Sequence, residues 1–398
     1  MLSQIILTIL SLGSLASSAP QVHPRPIQEP PRLRKEWRLL NIIERQHYIS
    51  AIQCLHSKPS IYQDLVSSSG SLFEDFSVIH KLQAPYIHGE SQFLPWHRAF
   101  LWTFETTLRN ECNYTGAQPY WDYGHDIDIV KTSGRDFYSS EIFDPVTGFG
   151  GDGEMMKNND YPRRPPNMPL GIGGGCVMKG PFSKDKFKLQ IAKGDKLGPA
   201  DPRCLTRMFN PKVAKDWCGH EVEEAMKRTK SYKEFYQNMQ GNSLDYNQSW
   251  GLHVCGHFSV TNVDIFIRTT DPLFFLHHTN LDRIWWEWQK RDPKKRTKEI
   301  DGKLKPLPSY FPDGDYGNFP DEKAEITLDW MVDIGRFGGK VKVADLMDIT
   351  KSPVVNYEYS NTFAGWDDIR GTEKFKKEVN RLTALWEKWR SAGWSHDM

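Results

Sequence analysis

Apolar residues recur at three- and four-residue spacing through much of the chain, a period that predicts a mainly helical protein. From Asp271 to about Gln289 an apolar, Trp-rich run keeps that period. It begins at a capping carboxylate and Pro272, whose missing N–H costs nothing at a helix start. Residues 34–56 read as a helix on Trp37, Leu40, Ile43, His47 and Ala51, and residues 72–82 as another. Pro95 can open a further helix to about Asn110, with His97, Leu101, Phe104 and Leu108 along one face. Residues 215–240 read as one more. Residues 372–390 carry Phe375, Val379, Leu382, Trp386 and Trp389 on one stripe with Lys and Glu opposite. Such a stripe suits a membrane surface or a protein core, and docking on the core is the expectation.

Residues 132–219 break the pattern. They are dense in Gly, Pro and Asn and hold three of the six cysteines, so a long, irregular, disulfide-pinned insertion is expected. Its Gly-rich runs lack a following Lys-Ser/Thr and a strand-to-helix setting, which argues against phosphate binding. Residues 291–321 form a charged, Pro-rich loop.

A chain of 398 residues suits one large domain or two modest ones. Its net charge of +1, with no basic stripe, excludes nucleic acid as an expected partner. Residues 2–19 are a short apolar core ending in Ser17-Ser18-Ala19. That is the form of a secretory signal peptide (residues 1–19), here followed by a Pro-rich leader, residues 20–33. No other segment is apolar for long enough to span a bilayer. A secreted, extracellular protein with no membrane partner is therefore expected. In that compartment Cys54, Cys112, Cys176, Cys204, Cys218 and Cys255 should form three disulfides, with the pairing open. Two sequons, at Asn113 and Asn247, fit the same route.

The candidate chemistry lies in histidines. His277 and His278 ride on a helix otherwise built for burial, and buried imidazoles need partners. His253 and His257 stand one helical turn apart on a common face. His80, His88 and His97 make a second set, with His80 and His97 on helices and His88 in the loop joining them. His47 and His56 are solitary and read as surface or structural histidines rather than ligands. No Cys pairs stand at zinc-finger spacing, and no Glu follows His253 as in a zinc protease. Six neutral imidazoles without a bridging carboxylate suit copper, while zinc stays chemically possible.

Two motifs carry a resemblance. His88-x4-Phe-Leu-Pro-Trp-His97-Arg98-x2-Leu101-x3-Glu105 resembles the copper A signature of the tyrosinase and catechol oxidase family. Asp271-Pro-x-Phe274-Phe-x2-His278-x3-Asp282 resembles its copper B signature, and both match at every defined position. The likeness is to the short secreted fungal branch. Tyr357-Glu-Tyr359 resembles the Tyr-x-Tyr mark that closes the catalytic domain there, which implies a dicopper oxidase domain over residues 34–360 and a C-terminal segment over residues 361–398. That remainder is too short for a capping domain, so any latency is expected from the leader or from pH.

The resemblance implies a four-helix antiparallel bundle around two copper ions, with loop-rich insertions and a few short strands. Copper A would be held by His80, His88 and His97, and copper B by His253, His257 and His278. His278 is preferred because it fills the motif's slot and shares a helical face with Phe274 and Asp282. Asp282 would then brace helix or ligand, and His277 would point off the site. Phe274 and Val254 would border the substrate pocket, Phe274 as a wall or gate unless it is simply core. Arg98 and Glu105 read either as supports or as an ordinary buried ion pair.

The implied partners are O2 and small phenols, with o-diphenols, and o-aminophenols too, leaving as o-quinone-type products. Weak action on monophenols is expected. Val254 stands where many monophenol-hydroxylating relatives carry Asn, and residues 241–252 contain no Glu. No Cys lies between Cys54 and Cys112, so no thioether to His88 is expected; Tyr86 stands two positions before it. Cys255, between two ligands, is expected in a disulfide, with direct ligation the outside alternative. The competing readings are a full tyrosinase, a haemocyanin-like reversible O2 carrier, and a zinc hydrolase.

Overall fold

A computed structural model describes residues 30–157, 167–193, 198–241, 250–260, 268–304, 324–360 and 371–391. The expected signal peptide, the leader before Pro30, Asn247 and most of the 291–321 loop lie outside the described residues.

The first helix starts later than its periodicity predicts. Arg32–Arg34 is a strand (β1) and Trp37–Leu39 a single 3-10 turn. Helix α1 (Ile42–Ser57) begins at Asn41, whose side chain accepts from Glu44 N while Glu44 reaches back to Asn41 N. That reciprocal cap satisfies two amides at once and sets the start. Helix α2 spans Leu72–Ile87, five residues beyond expectation, and keeps Pro85 within its last turn. A proline there removes a single intrahelical bond, and the adjoining core holds the last turn, where Ala84 and Ile87 are both buried. His88 becomes its C-cap. Helix α3 (Phe93–Cys112) takes Pro95 into its first turn, where unbonded N–H groups are the rule.

Helix α4 covers Tyr123–Ser133. The insertion after it is irregular but not structureless. Strand β3 (Ile172–Val177) pairs antiparallel with β2 (Gly153–Met155) and β6 (Thr206–Phe209), and β4 (Lys188–Leu189) pairs with β5 (Arg203–Cys204). The helix expected over residues 215–240 is instead three: α5 (Pro211–Trp217), α6 (His220–Lys227) and α7 (Tyr232–Gln240). Extended backbone at Gly219 parts the first two, and Ser231, accepting from Glu234 N, restarts the third.

Helices α8 (Leu252–Val260) and α9 (Leu273–Lys290) follow. Asp271 accepts from Leu273 N at 3.1 Å and grips Arg207 of β6 with both oxygens at 2.9 Å, so the α9 start is tied to the insertion. A hairpin of β7 (Met331–Asp333) and β8 (Lys340–Lys342) leads to β9 (Tyr357–Tyr359), which pairs parallel with β1. Last comes α10 (Glu373–Ser391), packed on α6, with Phe375, Val379, Leu382 and Trp386 buried. The core is one continuous apolar cluster, and in it Phe104 of α3 stacks on Phe275 of α9. The fold is mainly α, and helices α2, α3, α8 and α9 carry the histidines. The cysteines pair as Cys54–Cys112, Cys176–Cys204 and Cys218–Cys255.

Candidate metal centre

The expected histidines converge. Among the described residues His80, His88 and His97 form one group able to hold an ion, and His253, His257 and His278 another. The two groups face each other: His97 and His278 stack at 4.3 Å and 8°, and His88 lies 5.6 Å from His253.

Each ring is aimed from its own helix. His97 Nδ1 and the Phe93 carbonyl one turn earlier lie 2.8 Å apart, and His88 Nδ1 lies 2.9 Å from the Ala84 carbonyl at the end of α2. Carbonyls only accept, so Nδ1 carries the proton in both rings and Nε2 keeps its lone pair. His257 Nε2 lies 3.1 Å from both His253 Nε2 and His278 Nε2. Imidazole nitrogens about 2.0–2.1 Å from one tetrahedral metal stand roughly 3.3 Å apart, so this trio has metal-site dimensions. Burial pulls all six imidazoles below their ordinary pKa, His88 to about 4, and the neighbouring imidazoles add to this for the other five. They are neutral bases at neutral pH. His80 has both ring nitrogens buried without a hydrogen-bond partner, as has His97 at Nε2. Such orphaned nitrogens fit a bound cation.

Around the ligands the structure separates what the motifs grouped. Asp282, one turn beyond His278, bonds Arg98 Nε at 2.6 Å, Arg34 at 3.5 Å and the hydroxyls of Tyr357 (2.5 Å) and Tyr359. It secures α9 to α3, β1 and β9. Arg98 and Glu105 are not each other's partner: Glu105 pairs with Arg34 at 2.8 Å and Arg32 at 3.2 Å. His277 is buried outside the trio, 4.6 Å from the His257 ring and 5.7 Å from Tyr123. Phe274 is 1% exposed and 4.2 Å from His278, whereas Val254 is half-buried. His56 bonds the Lys188 carbonyl at 2.8 Å, as suits a structural histidine.

Sequence reasoning assigned no role to Phe93, whose ring lies 4.7 Å from both His97 and His253 and so bridges the two trios. Its place one turn before His97 was the available signal. It also missed Arg268, the charged side chain that recurs among the influences on these imidazoles. A third cluster, Asp122, His220 and Glu223, has metal-like dimensions but no spare donor at its histidine. His220 is held by Asp122 at 2.8 Å and Asp128 at 2.6 Å, while Glu223 pairs with Lys227 and Arg283 at 2.7 Å.

Comparison with known proteins agrees with this geometry. The family described as the common central domain of tyrosinase matches residues 70–291. Tyrosinase P of Aspergillus terreus is 31% identical over 349 residues, covering 83% of this chain and 92% of its own. N-acetyl-6-hydroxytryptophan oxidase ivoB of Emericella nidulans is 31% identical over 341 residues, covering 80% and 89%. A polyphenol oxidase variant from Thermothelomyces thermophila matches in structure with a TM-score of 0.69 at 27% identity, covering 83% of this chain and 89% of that one. With the matched region spanning both histidine trios, the chain belongs to the tyrosinase family, whose fold binds two copper ions.

Proposed function

We propose that the protein oxidises o-diphenols, and o-aminophenols, to quinone-type products with O2 and hydroxylates monophenols poorly. The observation that carries this is the pair of facing imidazole trios with unprotonated nitrogens. His80, His88 and His97 would hold one copper; His253, His257 and His278 would hold the other. The bound pair supplies the two-electron exchange with O2 that the oxidation needs.

The chain's own residues do the placing. The carbonyls of Ala84 and Phe93 fix two ring tautomers, Phe93 spaces the trios, and Phe274 walls the site from the core. His88 and Val254 are half-buried where the other five candidate ligands and Phe274 are buried, which supports an approach for substrate on their side. A monophenol must lose its proton before hydroxylation, and phenols of the tyrosine type ionise near 10. Val254 has no group to assist that loss. Export fits the apolar stretch of residues 2–19, the three disulfides, and the lack of any described helix able to cross a membrane.

The test is a panel of phenol, catechol and o-aminophenol on copper-loaded protein, following O2 uptake and product colour. A 6-hydroxyindole amino acid belongs in it, given the name of the Emericella relative. Immediate uptake with catechol and a slow, lagging reaction with phenol are expected. Fast, lag-free phenol hydroxylation would make the protein a full tyrosinase. Reversible colour without quinone would make it an oxygen carrier, and zinc rather than copper on metal analysis of the protein as purified would favour a hydrolase.

A further inference from the structure

The Cys218–Cys255 disulfide occupies an unusual place: Cys255 lies between two candidate ligands, His253 and His257, on the nine-residue helix α8. At 3.6 residues per turn, Cys255 points about 180° away from the midpoint of the two histidines. Cys218 and Cys255 are both fully buried.

The far end of the bond is well anchored. Cys218 ends α5, two residues before His220, which Asp122 and Asp128 hold from either side. The other end of α5 meets α8 too, through Asn210 N donating to the Ser259 carbonyl at 2.8 Å. Two further contacts key α8 on its remaining sides. A Cβ on Gly251, just before the helix, would lie 2.1 Å from the Asn238 carbonyl oxygen of α7. A Cβ on Gly256 would lie 2.2 Å from the His277 ring of α9.

We propose that the Cys218–Cys255 disulfide is a positioning element that sets the roll of α8 and so aims His253 and His257 at the second copper. An imidazole Nε2 stands roughly 6 Å off a helix axis, so a roll of about 20° displaces it by about 2 Å. That displacement is about one metal–imidazole bond length. Copper held by His253 and His257 would load one side of α8 and the disulfide holds the opposite side; without it, only packing and the Asn210–Ser259 hydrogen bond near the helix end resist rolling. The first trio sits on α2, its C-cap and α3, which the bond does not touch. Loss of the bond therefore acts on one copper of the two.

This rests on His253, His257 and His278 being one copper's ligands, and wild-type protein binding two coppers per chain is the control for that. The experiment compares Cys218→Ala/Cys255→Ala with Cys176→Ala/Cys204→Ala, which removes the insertion's own disulfide. Copper per chain is measured against increasing bicinchoninic acid, with folding followed by circular dichroism. The first variant, folded, should give up one copper at a chelator concentration at least tenfold lower than wild type does, and keep the other. The control variant should keep both. Retention of both coppers by the first variant, or their loss together, overturns the proposal. Should the first variant not fold, wild-type holoprotein is reduced with a phosphine in mild urea and alkylated. One copper must then leave in step with alkylation of Cys255, and alkylation with both coppers retained overturns the proposal equally.

Discussion

At the scale of single residues, His277 and His278 are chemically identical neighbours with different surroundings. His278 shares its Nε2 point with His253 and His257, while His277 fills the notch left by Gly256. We predict that His278→Ala lowers bound copper from two per chain to one. His277→Ala should keep two, and lose stability because a ring packed against His257 and Tyr123 leaves a void. Metal analysis of both purified variants decides this. Asp282 takes two guanidiniums and two tyrosine hydroxyls at once. Arg98, Arg34 and Tyr357 outweigh burial and hold its carboxyl below the ordinary range. Asp282→Ala should therefore cost about 3–5 kcal/mol, as expected when buried charges lose their partner. Urea melts of the metal-free protein measure it, and a cost below about 1 kcal/mol would refute this role.

At the scale of elements, helix α10 covers α6, the helix that begins with His220. Trp386 is 3% exposed and Val379 fully buried. Trp386→Ala should destabilise by about 3–5 kcal/mol, as large-to-small changes at buried aromatics do. Copper content should stay at two, since the histidine-bearing helices α2, α3, α8 and α9 do not include α10. A thermal shift with parallel copper analysis separates the two effects. The same scale shows where periodicity fell short. Pattern alone merged α5, α6 and α7, because each shows apolar spacing and the breaks rest on a capping serine and an extended glycine. It stopped α2 early because proline ends most helices, whereas here the surrounding core carries the last turn.

At the scale of the whole molecule, a buried charge network connects Glu36, Arg38, Asp122, Asp126, Asp128 and His220, and the Glu223–Arg283 pair lies beside Asp122 and His220. Burial alone would lower the His220 pKa; Asp122, with Asp128, outweighs it and raises the value. A raised histidine contributes stability that is complete below its ordinary value and is lost as pH rises through the folded value. Glu36, pushed up by burial to about 7, acts in the same sense between 4.5 and about 7. Asp122 behaves oppositely: burial would raise it, but His220 and the nearby arginines depress it, so its contribution is lost in acid. The network should stabilise most in mildly acidic solution. We predict that the stability gap between wild type and His220→Gln is widest near pH 5 and narrows as the pH rises above about 6.5. Urea unfolding at several pH values tests it, and a gap that widens with pH would contradict it.

Much of the site was legible in the amino-acid order because it is local. His253 and His257 one turn apart, His278 one turn after Phe274 and before Asp282, and Pro95 at a helix start are consequences of 3.6 residues per turn. The even cysteine count likewise pointed to disulfides. Contacts between distant segments were not legible: that Cys255 pairs with Cys218, that Asp282 rather than Glu105 takes Arg98, or that two aspartates hold His220. Such pairings join residues tens to hundreds of positions apart. Each buried charge could have met several partners of the right sign, and only the packing of the helices brought one of them within hydrogen-bond reach. Side-chain chemistry, helical period and the two family-like motifs picked the candidate ligands; tertiary packing chose what holds them still.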